Sequence, residues 1–130
     1  MMGGKYLLDT NIVIALFAED AIVINYLSQA TQVFIPSIVI GELYYGAYNS
    51  RRTEHNLSQF RSFARENTII PCNELTGQYY GQIKYELKKK GRPIPENDLW
   101  IAALGKQYGI TLVSRDAHFS NIDELMLETW

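Results

Sequence analysis

Residues 6–11 read YLLDTN, a short apolar run that ends in a carboxylate. Tyr6-Leu7-Leu8 places apolar side chains on both faces of an extended segment, which is typical of a central strand in a parallel sheet. Asp9 ends this strand. In open parallel sheets, ligands bind outside the carboxyl ends of the strands, near the point where strand order reverses. The stretch therefore predicts an α/β layer fold with a polar site at one edge of the sheet.

Outward from this strand, short apolar runs alternate with longer amphipathic stretches, which favours an α/β layer architecture. Further strands are predicted at about 33–35, 68–70, 111–113 and 126–128, and helices at about 12–18, 21–30, 38–48, 54–65, 75–90 and 96–108. Pro36 is predicted to stop the second strand, and Ser37 to cap the next helix. Gly91 and Gly109 are predicted to end the last two helices.

Composition sets limits on function. The 130 residues are 47% hydrophobic and 20% charged, which predicts one globular domain over residues 1–130. A net charge of -2 excludes binding of nucleic acid through a strongly basic surface, so such contacts must be local. Cys72 is the only cysteine, which excludes an internal disulfide. No apolar run approaches the roughly 20 residues of a membrane span, so we expect a soluble cytoplasmic protein with no membrane partner.

Four carboxylates lie at the borders of apolar segments or within an apolar helix: Asp9, Glu42, Asp98 and Asp116. Asp9 and Asp116 follow strands, and Asp98 lies in the first turn of a helix that begins at the same edge, so these three are expected to face one crevice. Two unit charges ~5 Å apart at an effective dielectric of ~20 repel by roughly 3 kcal/mol. A divalent cation would relieve that repulsion.

Glu42 is the acid with the least polar surroundings. Its neighbours three and four residues away along the helix are Ile38, Val39, Tyr45 and Gly46, so it is predicted to lie on an apolar, buried face. No lysine or arginine lies within one turn of it. A buried carboxylate requires a partner, which must come from elsewhere in the fold or from a bound ion.

Each acid also has a purely structural interpretation. Asp9 could cap the following helix, and Asp98 could oppose a helix dipole. Asp116 could accept a hydrogen bond from its own turn, and Glu42 could reach solvent at the edge of the core. One shared crevice explains all four positions together, which favours the metal-binding interpretation.

Four sequence motifs occur in order along nearly the whole chain. They are Leu8-Asp9-Thr10-Asn11, Pro36-Ser37 through Glu42-Leu43-Tyr44-Tyr45-Gly46, Asn97-Asp98-Leu99-Trp100-Ile101-Ala102-Ala103, and Leu112-Val113-Ser114-Arg115-Asp116 with His118-Phe119. In this combination the chain resembles the PIN-domain ribonucleases, most closely the VapC-type toxins of bacterial toxin-antitoxin pairs. The resemblance implies a three-layer α/β/α fold with a central parallel sheet of four to five strands.

The resemblance also implies the site and its partners. The matching catalytic and metal-binding positions are Asp9, Glu42, Asp98 and Asp116, with the contact of Asp116 to the metal the most variable. Asn11 and Ser114 match polar positions that line the same pocket. The implied cofactor is Mg²⁺, with Mn²⁺ as an alternative, and the implied partners are an RNA substrate, a cognate antitoxin and a second copy of the chain.

Magnesium prefers oxygen ligands and keeps several of its waters, so a water is the expected nucleophile at a phosphodiester. Such a reaction leaves a 5′-phosphate and a 3′-hydroxyl and requires no histidine. His55 is predicted to be solvated on a polar helix. His118 is predicted to support its turn or to pack beside Phe119, in preference to contacting a phosphate.

Basic side chains near the predicted site are candidates for binding RNA phosphates: Lys88, Lys89, Lys90, Arg92 and Arg115. The alternative for the lysine run is complementation of a helix dipole at its C-terminus. Two rival classes of protein also gather acids in an α/β fold. A receiver-type phosphoacceptor requires paired acids after its first strand, where Thr10-Asn11 stands here. A catalytically silent PIN fold that only binds RNA or protein is disfavoured by the complete set of acids.

Overall fold

The computed structural model describes residues 4–130, so Met1–Gly3 of the predicted domain lie outside the described residues. Its sheet contains strands β1 (Lys5–Leu8), β2 (Gln32–Pro36), β3 (Thr68–Ile70), β4 (Thr111–Val113) and β5 (Leu127–Glu128). The strand order is β3-β2-β1-β4-β5, and every neighbouring pair is parallel. The predicted parallel sheet with the first strand at its centre is confirmed.

Helices separate the strands along the chain: α1 (Thr10–Phe17), α2 (Ala21–Gln29), α3 (Ser37–Tyr48), α4 (Thr53–Glu66), α5 (Glu74–Lys90) and α6 (Glu96–Tyr108), followed by a short 3-10 helix at Ala117–Asn121. Sheet and helices form the predicted three-layer α/β/α fold. Gly91 and Gly109 end α5 and α6 with φ of 70° and 62°, a left-handed conformation that glycine adopts without steric cost. Both predicted helix ends are confirmed.

The start of α3 differs from the prediction. Pro36 does not stop β2 but belongs to it, aligned with Ile70 of β3. Its φ of -62° and ψ of 140° continue the extended backbone, so the helix begins immediately afterwards. Ser37 is therefore the first residue of α3, and the prediction that its side chain caps the helix is wrong. Pro36 occupies the capping position without a side-chain hydrogen bond.

The strand order of the sheet reverses at β1. From β1 the chain adds β2 and β3 on one side of the sheet, then crosses to place β4 on the other side. The carboxyl ends of β1 and β4 therefore border the crevice where parallel sheets bind ligands. Leu7, Leu8, Leu112 and Val113 fill the core beneath this point, each no more than 1% exposed. The site therefore lies directly above a fully buried part of the core.

Among the described residues, no single helix is both long and apolar enough to cross a membrane. Only α1 and α2 taken together meet that length and composition, and the two are bent by 107° where they join.

Candidate metal centre

The structure brings all four predicted carboxylates into one open pocket of about 610 Å³ at the carboxyl edge of the sheet. The pocket is also lined by Thr10, Asn11 and the first residues of α6. The acids come from four places in the fold: the end of β1, the second turn of α3, the first turn of α6 and the segment after β4. Their roles as ligands remain predictions, but their convergence is observed.

Asp9 is the most deeply buried of these acids, with 5% of its surface exposed. It caps α1 by accepting a hydrogen bond at Oδ1 from the Thr10 amide (2.8 Å), and Oδ2 accepts one from the Ser114 hydroxyl (2.7 Å). Burial raises the pKa of Asp9, the two hydrogen bonds oppose that rise, and the nearby charges of Asp98 and Glu42 add to it. The predicted capping contact of Asp9 is therefore present, and the same side chain lines the pocket.

Asp98 and Asp116 face each other across the pocket from different elements. Asp98 is half-buried in the first turn of α6, and burial is the largest cause of its raised pKa. His118 lowers that pKa, while the charges of Asp116 and Glu42 raise it. Asp116 is more exposed, at 40% of its side chain, and its Oδ1 accepts a hydrogen bond from the His118 amide (3.3 Å). Asp116 thus makes the predicted turn contact as well as facing the pocket.

Glu42 is less buried than the sequence predicts. Val39 on the same helix face is fully buried, but Tyr45 is 73% exposed, so Glu42 lies half-buried at the boundary between core and pocket. The prediction of a fully apolar face is wrong here because α3 packs only partly under the sheet edge. Its partner is neutral: the Thr10 hydroxyl donates to Glu42 Oε1 over 2.6 Å. Within residues 4–130 no basic side chain forms an ion pair with Glu42.

Two polar residues predicted to line the pocket connect β1 to β4. Ser114 is 1% exposed and lies behind Asp9, where its hydroxyl also accepts hydrogen bonds from the Asp116 amide (3.0 Å) and from Asn11 Nδ2 (3.3 Å). Asn11 does line the pocket, and its Oδ1 accepts from the Arg115 amide (3.2 Å). Ser114 therefore supports the acids from below, since the short connection after β4 turns its side chain inward.

His118 has a place in the site that sequence reasoning missed. Its Nε2 lies 2.8 Å from Asp98 Oδ2, and its Nδ1 lies 2.8 Å from Asp116 Oδ1. The three side chains offer ligand atoms within 4.8 Å of one another. The predicted packing beside Phe119 is present, with ring centroids 5.1 Å apart. The two-residue spacing from Asp116 was a signal for one contact, whereas the contact with Asp98 had none in the sequence.

The predicted phosphate ligands lie outside the pocket wall. The Arg115 guanidinium donates to the Trp130 carbonyl (2.8 Å) and pairs with Asp20 (2.9 Å), which holds it against the protein. Lys90 pairs with Asp123 (2.7 Å). The other three candidates are exposed at the end of α5 and just beyond it: Lys88, Lys89 and Arg92. Phosphate binding by these five stays a prediction, and the contacts of Arg115 and Lys90 do not support it.

Two other residues considered in the sequence lie away from the acids. His55 is exposed on α4, as expected of a solvated side chain. Cys72 is half-buried just after β3, and burial raises the pKa of its thiol, which disfavours the reactive thiolate.

The donor set fits a hard divalent cation. Carboxylate oxygens are the ligands that Mg²⁺ and Mn²⁺ prefer. The four predicted acids line this pocket together with Glu96, which pairs with Lys84 (3.0 Å). Burial is the main cause of the raised pKa values of Asp9 and Asp98, and the charges of neighbouring carboxylates add to both. In the described part of the chain, His118 is the one basic side chain that pairs with any of the four acids. A bound cation would supply the missing positive charge.

Comparison with known proteins agrees with this geometry. Residues 6–125 match the PIN domain family, and the chain belongs to that family. Within it the chain is of the VapC type. It is 36% identical over 129 residues to Ribonuclease VapC2 of Haemophilus influenzae, covering 97% of this chain and 98% of the relative. It is 35% identical over 130 residues to Ribonuclease VapC2 of Rickettsia felis, covering 96% and 97%.

Solved structures show the same similarity. The chain superposes with a TM-score of 0.89 and 34% identity on a chain of VapBC2 from Rickettsia felis bound to a DNA fragment from its promoter, covering 97% of this chain and 98% of that one. VapBC-1 from nontypeable Haemophilus influenzae gives a TM-score of 0.88 at 30% identity, with 97% and 98% covered. The predicted fold and family are confirmed.

Proposed function

We propose that this chain acts as a single-domain, metal-dependent endoribonuclease and is the toxin of a toxin-antitoxin pair. The observation that carries the proposal is the convergence of four carboxylates, from four separate elements, on one open pocket. Relatives that match nearly the whole chain are named ribonucleases, which supports RNA as the substrate.

Asp9, Glu42, Asp98 and Asp116 are the residues that would hold Mg²⁺ or Mn²⁺. When bound, the ion lowers the pKa of water and offsets the charge that develops at the phosphate. The chain itself orients the carboxylates: Ser114 and the Thr10 amide hold Asp9, and the Thr10 hydroxyl holds Glu42. Attack by water on the phosphorus breaks the bond to the 3′-oxygen, which leaves as the 3′-hydroxyl, and the phosphate stays on the 5′-oxygen. The 2′-hydroxyl of RNA takes no part, so no cyclic phosphate forms.

The test compares the wild type with Asp9→Asn and Asp98→Asn on end-labelled RNA, in Mg²⁺, Mn²⁺ or chelator. We expect cutting only with metal, and at least about a 100-fold loss in either variant, the upper end of the effects seen for residues around metal sites. Glu54→Gln, an exposed acid on α4, is the matched control and should cut normally.

The products and the variants separate this proposal from its alternatives. Cyclic phosphate ends would contradict a water nucleophile. Undiminished cutting by both Asn variants would assign the activity to a contaminant. Retention of RNA without cutting under every condition would favour the catalytically silent binding module.

We further propose a cognate antitoxin and a second copy of the chain as partners. Solved structures similar to this chain come from VapBC complexes, and one that shares its fold is described as a member of the VapBC family of toxin-antitoxin systems. Large apolar side chains are exposed on the outer helices, including Ile14, Ile22, Tyr45 and Tyr48. Sedimentation of the purified chain should give the mass of a dimer, and a monomer at all concentrations would contradict this part of the proposal.

A further inference from the structure

One imidazole joins two of the carboxylates in the pocket. Asp98 belongs to α6 and Asp116 to the segment after β4, and no hydrogen bond in the described structure links them directly. His118 contacts both, with each ring nitrogen 2.8 Å from a carboxylate oxygen. In either tautomer one ring N–H donates to a carboxylate.

We propose that His118 is a positioning residue of the metal centre, which holds Asp98 and Asp116 in the arrangement that a divalent cation requires. This inference rests on the proposed function of the site as a metal-dependent nuclease. It adds a fifth residue to the four acids and gives that residue a separate task. The imidazole acts through the two carboxylates that it contacts.

The ring itself is firmly placed. The ring lies beside Phe119, which is fully buried. His118 itself belongs to the short 3-10 helix at Ala117–Asn121, which Asp116 caps. The His118 amide donates to Asp116 Oδ1, the same oxygen that its Nδ1 approaches. Two contacts therefore join His118 to Asp116, and the Nε2 contact joins the same ring to Asp98 of α6.

The contacts also leave oxygens available for an ion. His118 occupies Oδ2 of Asp98 and Oδ1 of Asp116. Within residues 4–130, the second oxygen of each carboxylate, Asp98 Oδ1 and Asp116 Oδ2, makes no hydrogen bond. Both ring nitrogens face carboxylate oxygens, so neither is directed at an open ligand position. This arrangement is that of an outer partner which orients metal ligands, and loss of such partners weakens metal binding by about 10–100-fold.

The test measures metal binding without relying on RNA cleavage. Free Mn²⁺ is quantified by electron paramagnetic resonance during titration of the whole chain, for the wild type, His118→Ala, His118→Asn and the control His55→Ala. We expect about 10-fold or greater weakening in His118→Ala. His118→Asn, whose amide can still donate to Asp116, should recover part of the affinity, and His55→Ala should bind as the wild type does.

Circular dichroism and thermal melting show whether each variant folds. If His118→Ala does not fold, His118→Asn and His118→Gln carry the test, since each retains one hydrogen-bond donor near one carboxylate. A merely structural role would lower the melting temperature but leave the Mn²⁺ affinity of a folded variant unchanged.

Equal Mn²⁺ affinity of folded His118→Ala and wild type, in a wild type that cuts RNA, would overturn the inference. A nitrogen coupling from the imidazole in pulsed spectra of the Mn²⁺-loaded wild type would also overturn it, because His118 would then be a ligand. A wild type that binds no Mn²⁺ would remove both the inference and the metal-dependent function. A wild type whose Mn²⁺ binding depends on His118 but which leaves RNA uncut would uphold the inference and contradict the proposed function.

Discussion

At Asp9, burial and neighbouring negative charges both disfavour ionisation of the carboxyl group. It is nearly inaccessible to solvent, yet it lines a pocket shared with the predicted acids Glu42, Asp98 and Asp116. Burial raises its pKa, and the charges of Glu42 and Asp98 raise it further. The pKa of Asp98 moves in the same direction, again chiefly through burial. In the absence of a cation, these groups make the folded state less stable once they ionise.

The stability of the chelator-treated protein should therefore depend on pH in a defined way. Both carboxyls have a higher pKa in the folded chain than the ordinary value of 3.8, so the unfolded chain loses these protons first as the pH rises. As the pH rises from about 3.8 through the raised pKa values of the folded chain, the stability that these two carboxyls contribute falls. Above the raised pKa values it stays low.

Asp9→Asn should reduce the loss of stability that accompanies rising pH, because the asparagine side chain does not ionise. We expect the variant to be more stable than the wild type at neutral pH, by about 0.5–2 kcal/mol as for other stabilising changes. The difference should vanish below the ordinary carboxyl pKa. Urea unfolding in chelator across this pH range measures it, and an equal difference at every pH would contradict the explanation.

The Ser114 hydroxyl makes three hydrogen bonds beneath the site, to Asn11, Asp9 and the Asp116 amide. Ser114→Ala would remove a donor to Asp9 and an acceptor for the Asp116 amide in a position with no access to water. We expect a loss of about 1–3 kcal/mol in the free energy of unfolding and about 10-fold weaker Mn²⁺ binding. Ser120→Ala, an exposed serine bonded only to the Ala117 carbonyl, is the matched control. If both variants behave alike, Ser114 has no role in orienting the acids.

At the scale of elements, the start of α1 and the second turn of α3 meet at the pocket. Parallel strands place Asp9 and Asp116 at the same sheet edge automatically, because β1 and β4 are direct neighbours. Strand pairing does not fix the position of Glu42, because Glu42 lies on α3, a helix that follows β2. The Thr10 hydroxyl provides the connection, donating from the first residue of α1 to Glu42 Oε1.

Thr10→Val tests that connection while keeping the shape of the side chain. Because Glu42 is only half-buried, water can replace the lost donor, and stability should fall by no more than about 1 kcal/mol. Mn²⁺ affinity should fall by about 10-fold, since Glu42 is then free to take other rotamers. Thr10→Ser retains the hydroxyl and should behave as the wild type. Wild-type Mn²⁺ affinity in Thr10→Val would show that α3 packing alone positions Glu42.

At the scale of the whole molecule, Trp130 joins parts of the chain that are distant in sequence. Its ring stacks on Tyr26 of α2 with centroids 5.0 Å apart and meets Tyr6 of β1 edge-on at 5.0 Å. Its carbonyl accepts from Arg115, whose amide in turn donates to Asn11 in the pocket wall. The region around β5 is thereby fastened to the segment that carries Asp116.

Trp130→Ala should destabilise the entire fold. Truncating a buried tryptophan costs about 3–5 kcal/mol, a large part of the roughly 5–15 kcal/mol that stabilises a domain. Trp130 is 5% exposed, whereas Met126→Ala in the same segment alters a side chain that is 48% exposed and should cost little. Urea unfolding at neutral pH measures both variants. Equal midpoints for the two would show that Trp130 packing is not needed to hold the sheet together.

Much of the fold could be predicted because its signals are local. Strands β3 and β4 have the predicted bounds, and α5 and α6 end at the predicted glycines, since apolar periodicity and helix caps act within a few residues. The convergence of Asp9 and Asp116 was also predictable, because the carboxyl ends of parallel strands share one edge. Ser37 was misassigned because Pro36 can either continue a strand or precede a helix, and pairing with β3 decided between them.

By itself, the sequence determined the elements, the layer architecture and the acids at the strand ends, because short-range propensities and periodicities specify these. Only the tertiary structure decided that His118 reaches Asp98, that Glu42 is half-exposed beside Thr10, and that Arg115 binds the Trp130 carbonyl. Each of these contacts depends on side-chain rotamers and on how a helix or a loop packs against its neighbours. Those quantities are set by the whole folded chain, not by any local stretch of it.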